Sequence, residues 1–238
     1  MCASESNTAI LFPSTLTPAT FLHKPNRFVA VVEMAGETVT AHVPTSSRMR
    51  ELLTPGAAVW LAPMAGARRK TAWSLVLARD GETLVSVDAL APNRLLARAL
   101  AAGAVPEFAG WALARREAFF GRSRFDFLLA RGERRGWVEA KSVTLVEDGT
   151  ALFPDAPTAR GARHLEELIA ARRDGCRAAA LFIIQRADAA RFAPHRALDP
   201  AFAAALARAR AAGVEVYAYR CAVTQDGITL GDRVTVTA

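Results

Sequence analysis

Cysteine is scarce and unpaired in this sequence. Cys2, Cys176 and Cys221 are the only three in 238 residues, and they form no C-x-x-C pair. An odd, scattered set excludes a disulfide framework and a cysteine zinc site, and it fits a reducing compartment. Long apolar runs are also missing. No stretch of about 18 apolar residues occurs, so a membrane span is not expected. The N-terminus MCASESNTAILFPST has no basic segment ahead of a sustained apolar one, so a secretory leader is not expected either. The expected location is the cytoplasm, with nucleoid association compatible with it and no membrane partner. The phosphate loop G-x-x-x-x-G-K-[ST] is absent, as are G-x-G-x-x-G, H-E-x-x-H and G-x-S-x-G, while His23, His42, His164 and His195 are scattered. Nucleotide hydrolysis, zinc proteolysis and esterase chemistry therefore lack support. Lysine is rare as well: Lys24, Lys70 and Lys141 supply three of the 30 basic residues, which makes each of them worth scrutiny.

What is present is a composition that folds. Hydrophobic residues make up 52% of the chain and charged ones 22%, far from the low-hydropathy regime of disordered chains. The formal charge of +7 attracts phosphate polymers or acidic surfaces. Residues 1–17, rich in Ser, Thr and Pro, read as an irregular lead-in. Five β-like runs follow at 27–34, 38–43, 58–63, 71–78 and 84–88. They are separated by Gly36, Pro55-Gly56, Gly66 and Asp80-Gly81. Closely spaced strands of this kind predict a small antiparallel barrel over 18–89, and five is the strand count of an OB-fold.

The texture changes at Pro92. Leu95, Leu96, Ala99 and Leu100 have helical spacing, with Pro92 in the first turn and Gly103 at the stop. Strand-like segments at 111–119, 125–130 and 136–146 precede a helix over 161–174 and a buried strand over 178–184. A helix over 199–213 has Asp199 as N-cap, Pro200 at its first position and Gly213 at its end, then come a strand over 214–219 and a hairpin through Asp226-Gly227. This order predicts an α/β domain with a mixed sheet over 90–238, so the fold class is two-domain α/β (α+β).

One constellation could carry chemistry: Phe125-Asp126-Phe127 followed by Val138-Glu139-Ala140-Lys141. Side chains alternate across a strand, so Glu139 and Lys141 share a face that Val138 and Ala140 do not. Asp126 precedes Glu139 by one hairpin's length, and the polar 131–136 segment supplies the turn. If its side chain lies on that face, two carboxylates and an ammonium converge. Such a trio suits phosphodiester hydrolysis. The carboxylates hold Mg²⁺ or Mn²⁺ through oxygen, and the lysine orients water or neutralises charge on phosphoryl oxygens. This is the arrangement of the restriction-endonuclease-like (PD-(D/E)xK) nucleases. An E-x-K tripeptide alone is more often a solvated ion pair. A carboxylate flanked by phenylalanines in an apolar strand, by contrast, is costly without a cation or donor. Glu117 is a candidate third metal ligand one strand earlier, whereas Asp155 in Phe153-Pro154-Asp155-Ala156-Pro157 reads as a turn residue.

Arg160, Arg163 and His164 open the helix at 161–174. Cations are unfavourable at that dipole end, and an arriving phosphate would offset the cost. In the barrel, Lys24, Arg27, Arg68, Arg69 and Lys70 accompany Phe28, Trp60 and Trp73. OB-folds bind single strands by pairing a basic groove with stacking aromatics, yet a barrel this small needs most of its aromatics inside. At most one of the three is expected to serve as a stacking platform. The residues expected to meet nucleic acid are Arg27, Lys70, Ser123, Arg124, Arg160, Arg163 and His164.

The strings Asn26-Arg27-Phe28, Ala41-His42-Val43-Pro44, Pro92-Asn93-Arg94-Leu95, Gly121-Arg122-Ser123-Arg124-Phe125-Asp126-Phe127, Val138-Glu139-Ala140-Lys141-Ser142-Val143-Thr144-Leu145 and Phe153-Pro154-Asp155-Ala156 resemble the sugar fermentation stimulation protein A family from about residue 20 onward. That resemblance implies an N-terminal OB-fold joined to a restriction-endonuclease-like domain. It also implies DNA binding, single- or double-stranded, with little sequence preference, and a regulatory link to sugar (maltose) metabolism. On the same basis metal binding transfers to Asp126 and Glu139, and the active-site lysine to Lys141. Two departures stand out: Thr45-Ser46-Ser47 where the family usually reads Asn-Thr-Gly, and Arg98 where it often has an acidic residue. Two readings therefore stand: a DNA-binding regulator that retains the pocket, or a working Mg²⁺- or Mn²⁺-dependent nuclease. Either allows a homo-oligomer.

Overall fold

The computed structural model describes residues 8–12, 15–45, 47, 49–64 and 71–237. Lys70, with Arg68 and Arg69, lies outside them.

The expected lead-in contains a strand. β1 (Ala9–Leu11) pairs antiparallel with the last strand of the chain, not with the barrel. The barrel comprises β2 (Thr17–Asn26), β3 (Val29–Met34), β4 (Glu37–His42), β5 (Ala58–Pro63) and β6 (Trp73–Asp80), with β7 (Thr83–Ser86) hairpinned outside β6. The sheet runs β4-β3-β2-β5-β6-β7, and a parallel contact of Ala41 and His42 with Trp73 and Ser74 closes it into the five-stranded OB-fold.

The count of five is as expected, but β2 replaces the run at 84–88 as a barrel stave. Its Pro18 and Pro25 hide it from pattern reading. They are tolerated because β5 alone flanks Thr17–Ala19, and β3 alone, through an irregular register, flanks the end near Asn26. Ala35 and Gly36 both have positive φ and make the tight β3–β4 turn. Phe21, Ala30, Val32, Ala41, Val59, Leu61 and Leu75 fill the interior.

α1 (Ala91–Ala101) begins the second domain with Pro92 in its first turn, and a short 3₁₀ turn (Pro106–Phe108) follows. Next come β8 (Ala112–Phe120), β9 (Ser123–Arg131), β10 (Arg134–Val143), β11 (Val146–Glu147), β12 (Thr150–Phe153), α2 (Ala159–Arg173), β13 (Arg177–Ile184), β14 (Arg191–Pro194), α3 (Pro200–Ala211), β15 (Glu215–Val223) and β16 (Gly227–Val236). The mixed sheet runs β11-β12-β14-β16-β15-β13-β10-β9-β8, with β10, β13 and β15 parallel at its centre.

β13 is buried along nearly its whole length because helices cover both faces. Leu165, Leu168 and Ile169 of α2 and Phe202 and Leu206 of α3 pack on one side, and Leu95, Leu96 and Leu100 of α1 on the other. Fully burying one such leucine contributes roughly 1.5–3 kcal/mol. Gly161 lets the start of α2 close on its own cap, since a Cβ there would meet Thr158 Cγ2 at 2.7 Å.

The barrel is fixed to the sheet through buried polar links. Ser86 Oγ donates to Gln185 Oε1 at 3.0 Å, and Gln185 Nε2 donates to Ser142 Oγ at 2.9 Å. Arg186, almost fully buried, pairs with Asp80 of β6 at 2.9 Å and with Asp188 at 2.6 Å. No helix among the described residues is long and apolar enough to cross a membrane.

Candidate functional site

The site forms where β9 and β10 part. Their ladder ends at Phe127↔Val138, while β10 continues beside β13 as far as Val143↔Ile184. Asp126 and Glu139 are the next residues beyond that last pair. Phe125 packs into the α2 and α3 side of the sheet, whereas Phe127, two residues on, packs into the α1 side. Strict alternation is therefore broken at Asp126, and its carboxylate turns into the gap between the strands. There Oδ2 accepts the Ala140 N–H at 2.8 Å, standing in for a backbone partner, and Oδ1 accepts from Asn93 Nδ2 on α1 at 2.5 Å.

Glu139 is buried. Its Oε1 accepts from Lys141 Nζ at 2.6 Å and from His164 Nδ1, and its Oε2 has no hydrogen-bond partner. The His164 Nε2 accepts from Arg160 Nε at 3.4 Å, so the two contacts place the ring proton on Nδ1.

These surroundings push the two carboxyls apart. Burial, followed by the Glu139 charge, raises Asp126 to about 6, and the Ala140 N–H, Lys141 and Asn93 only partly offset this. Burial also pushes Glu139 upward, but His164 and Lys141 outweigh it, leaving Glu139 below the usual carboxylate range. Lys141 thus contacts Glu139, the charges of both act on Asp126, and a buried oxygen, Glu139 Oε2, lacks a donor. Oxygen donors of this kind suit a hard divalent cation. The donor set fits such an ion, and Asp126 and Glu139 are the residues that would hold it.

Three sequence expectations change. Glu117 is not drawn into the site: it is exposed, has positive φ, and pairs with Arg124 at 3.4 Å. No group of three His, Cys, Asp or Glu among the described residues is arranged around a metal. His164 and Ser123, expected on a nucleic-acid surface, are each 3% exposed. His164 falls on the inward stripe with Leu165 and Leu168 and serves Glu139, a role its helical spacing could have signalled. Arg27, Arg124, Arg160 and Arg163 are exposed. Asn93 was missed as a site residue. It reaches Asp126 from the first turn of α1, while Arg98 lies on the exposed side of the same helix. Among the barrel aromatics, Trp60 is buried and Trp73 half-buried, whereas Phe28 is 47% exposed.

Fold and site together define a two-domain protein in which an OB-fold barrel is fixed to a restriction-endonuclease-like sheet. The family described as Sugar fermentation stimulation protein RE domain matches residues 90–227, and that described as SfsA N-terminal OB domain matches residues 22–87. The chain belongs to the sugar fermentation stimulation protein (SfsA) family. It is 50% identical to the sugar fermentation stimulation protein homolog of Moorella thermoacetica, over 92% of this chain and 95% of that one. It is 49% identical to the homolog of Chloroflexus aurantiacus, over 94% and 86%. The structure of Pyrococcus furiosus SfsA in complex with Ca²⁺ superposes with a TM-score of 0.88 at 30% identity, covering 96% of this chain and 98% of that one.

Proposed function

We propose that this protein binds DNA with little sequence preference and holds a divalent cation, Mg²⁺ or Mn²⁺, at Asp126 and Glu139 against the phosphodiester backbone. The observation that carries the reading is Glu139 Oε2, a buried carboxylate oxygen without a donor, beside a second carboxylate held between two strands. A formal charge of +7 and the exposed arginines 124, 160 and 163 supply attraction for phosphate. The Pyrococcus furiosus relative is in complex with Ca²⁺, another oxygen-seeking cation. The regulatory setting, sugar (maltose) use in the cytoplasm, comes from the family resemblance.

Cleavage is the second reading, and Lys141 favours it. Its ammonium lies 2.6 Å from Glu139 Oε1 and stays partly open to solvent, where it can meet charge developing on phosphoryl oxygens. A bound divalent cation would supply Lewis-acid polarisation of the phosphoryl group and a more acidic water. The chain's own residues do the positioning. Asn93 and the Ala140 N–H orient Asp126, His164 orients Glu139, and Lys141 neutralises.

The test is labelled duplex and single-stranded DNA with EDTA, Mg²⁺ or Mn²⁺. Binding should be tight at low salt and fall steeply as salt rises; salt-insensitive binding overturns the phosphate interface. Cleavage should appear with Mn²⁺ and vanish in both Asp126→Ala and Lys141→Ala. Products that persist in both variants rule out this site as their source.

A further inference from the structure

A concavity of about 510 Å³ opens on the barrel between β2 and the 50–55 segment. His23, Lys24, Arg27 and Arg50 line it together with Asn26, and no carboxylate is among its described lining residues. Lys24, Arg27 and Arg50 on a wall with no acidic residue among those described favour an anion there. At the adjoining β2–β3 turn stands Phe28, 47% exposed, with the Arg27 guanidinium 5.9 Å from its ring centroid. The ring is held there by its backbone. Asn26 Oδ1 accepts the Phe28 N–H at 2.9 Å, and the Phe28 carbonyl meets His42 Nδ1 at 3.2 Å.

A second cavity, about 310 Å³, lies between the domains. Its described walls are mostly apolar or hydroxyl-bearing, including Thr45, Ser142, Thr144 and Thr158, and Asp155 is the one charged residue among the described lining residues. Asp155 is held there by the Ser47 hydroxyl. The two cavities abut: Lys24, on the wall of the first, donates to the Ser47 carbonyl, on the wall of the second, at 2.9 Å. The second cavity reaches Ser142 and Val143 at the end of β10, and neither Asp126, Glu139 nor Lys141 is among its described lining residues. The cationic barrel pocket thus stands beside an interdomain cleft that carries the Asp155 carboxylate.

We propose that this barrel pocket seats a single DNA strand. Its phosphates lie on Arg27 and Arg50 and one base stacks on Phe28. The inference rests on the reading that the protein binds DNA, and it specifies the substrate: an unpaired strand, because a base offers its face to Phe28 only when it is not stacked within a duplex. Cations for phosphate and an aromatic face for a base are the two elements of sequence-tolerant single-strand binding.

The experiment is fluorescence anisotropy in EDTA with labelled oligo(dT) of about 15 nucleotides, long enough for one OB-fold footprint, and a duplex of equal length. Wild-type protein should prefer the single strand roughly tenfold or more. Phe28→Ala should weaken oligo(dT) binding roughly fivefold to hundredfold, with Phe28→Trp restoring it. The Arg27→Ala/Arg50→Ala pair should flatten the log–log salt slope by about 1.4, the value for two lost single-strand phosphate contacts. All these side chains are exposed, so an unchanged thermal midpoint separates binding from folding.

Equal affinity for duplex and single strand, or an unaltered Phe28→Ala variant, overturns the barrel site and leaves the metal-site reading standing. Single-strand preference that Phe28→Ala weakens and Phe28→Trp restores supports it. Failure of wild type to bind any DNA overturns both the barrel site and the DNA-binding reading.

Discussion

Asn93 on α1 donates to Asp126 Oδ1 on β9 at 2.5 Å, so the first turn of a helix holds the carboxylate that the parting strands leave in their gap. The bond spans 33 residues of chain. It also stabilises a charge that burial and the neighbouring Glu139 oppose.

Asp126 is therefore expected to cost folding stability at neutral pH. Its carboxyl titrates near 6 in the folded chain, above the ordinary value of 3.8. Between those limits the folded state keeps a proton that the unfolded state releases, so stability falls as pH rises through the window, by up to about 3 kcal/mol. Asp126→Asn, with the Asn93 amide turned to accept, should be roughly 1–3 kcal/mol more stable than wild type at pH 7 and should lack that falling limb. Urea denaturation at pH 4.5 and pH 7 measures it. A variant no more stable than wild type at pH 7 would contradict the buried-charge account.

Glu139 has the opposite sign. Its carboxyl is held below 4.5, so its contribution is complete above that pH and is lost as pH falls through the folded value. His164→Ala removes a buried donor and leaves a void beside Phe125, at a cost of roughly 2–4 kcal/mol at pH 7. The gap to wild type should narrow as pH falls below 4.5 and through the lowered folded value of Glu139, where its charge is lost. A gap independent of pH would make His164 a packing residue only.

Divalent cations should stabilise the wild-type fold and not the site variants. Binding to the folded state alone adds about 2.7 kcal/mol at a hundred times the dissociation constant. Thermal midpoints of wild type, Asp126→Ala and Glu139→Gln with and without Mn²⁺ give the comparison. Equal shifts in all three proteins would place the ion elsewhere.

The inter-domain clamp makes a separate prediction. Arg186 pairs with two aspartates that remain partly solvated, and it also donates to the Thr144 carbonyl at 3.2 Å. Arg186→Ala should cost about 2–4 kcal/mol. Asp80→Ala should cost nearer 1 kcal/mol, because Asp188 still satisfies the guanidinium. Chemical denaturation of the two variants decides the order, and a larger loss in Asp80→Ala would reverse the argument.

Local signals were read well where the contact is local. α3 begins as its Asp-Pro start predicts, with Asp199 Oδ1 accepting the Phe202 N–H at 2.9 Å. β2, β12 and β14 were not read. The first carries two prolines, and the other two are four residues each, too short to show a period. His164 misled for a different reason. Its polar ring suggested a surface, whereas its position four residues before Leu168 marked it as inward-facing.

The order of residues alone determined that Glu139 and Lys141 share a strand face and that Asp126 stands one hairpin away, because a two-residue period and a short turn depend only on nearby backbone. Docking of distant elements decided the rest. α1 brought Asn93 to one carboxylate, α2 brought His164 to the other, and the parting of β9 from β10 turned Asp126 into the gap. Helix packing against a sheet is governed by which whole faces bury apolar area, a property spread over many residues and encoded at no single spacing.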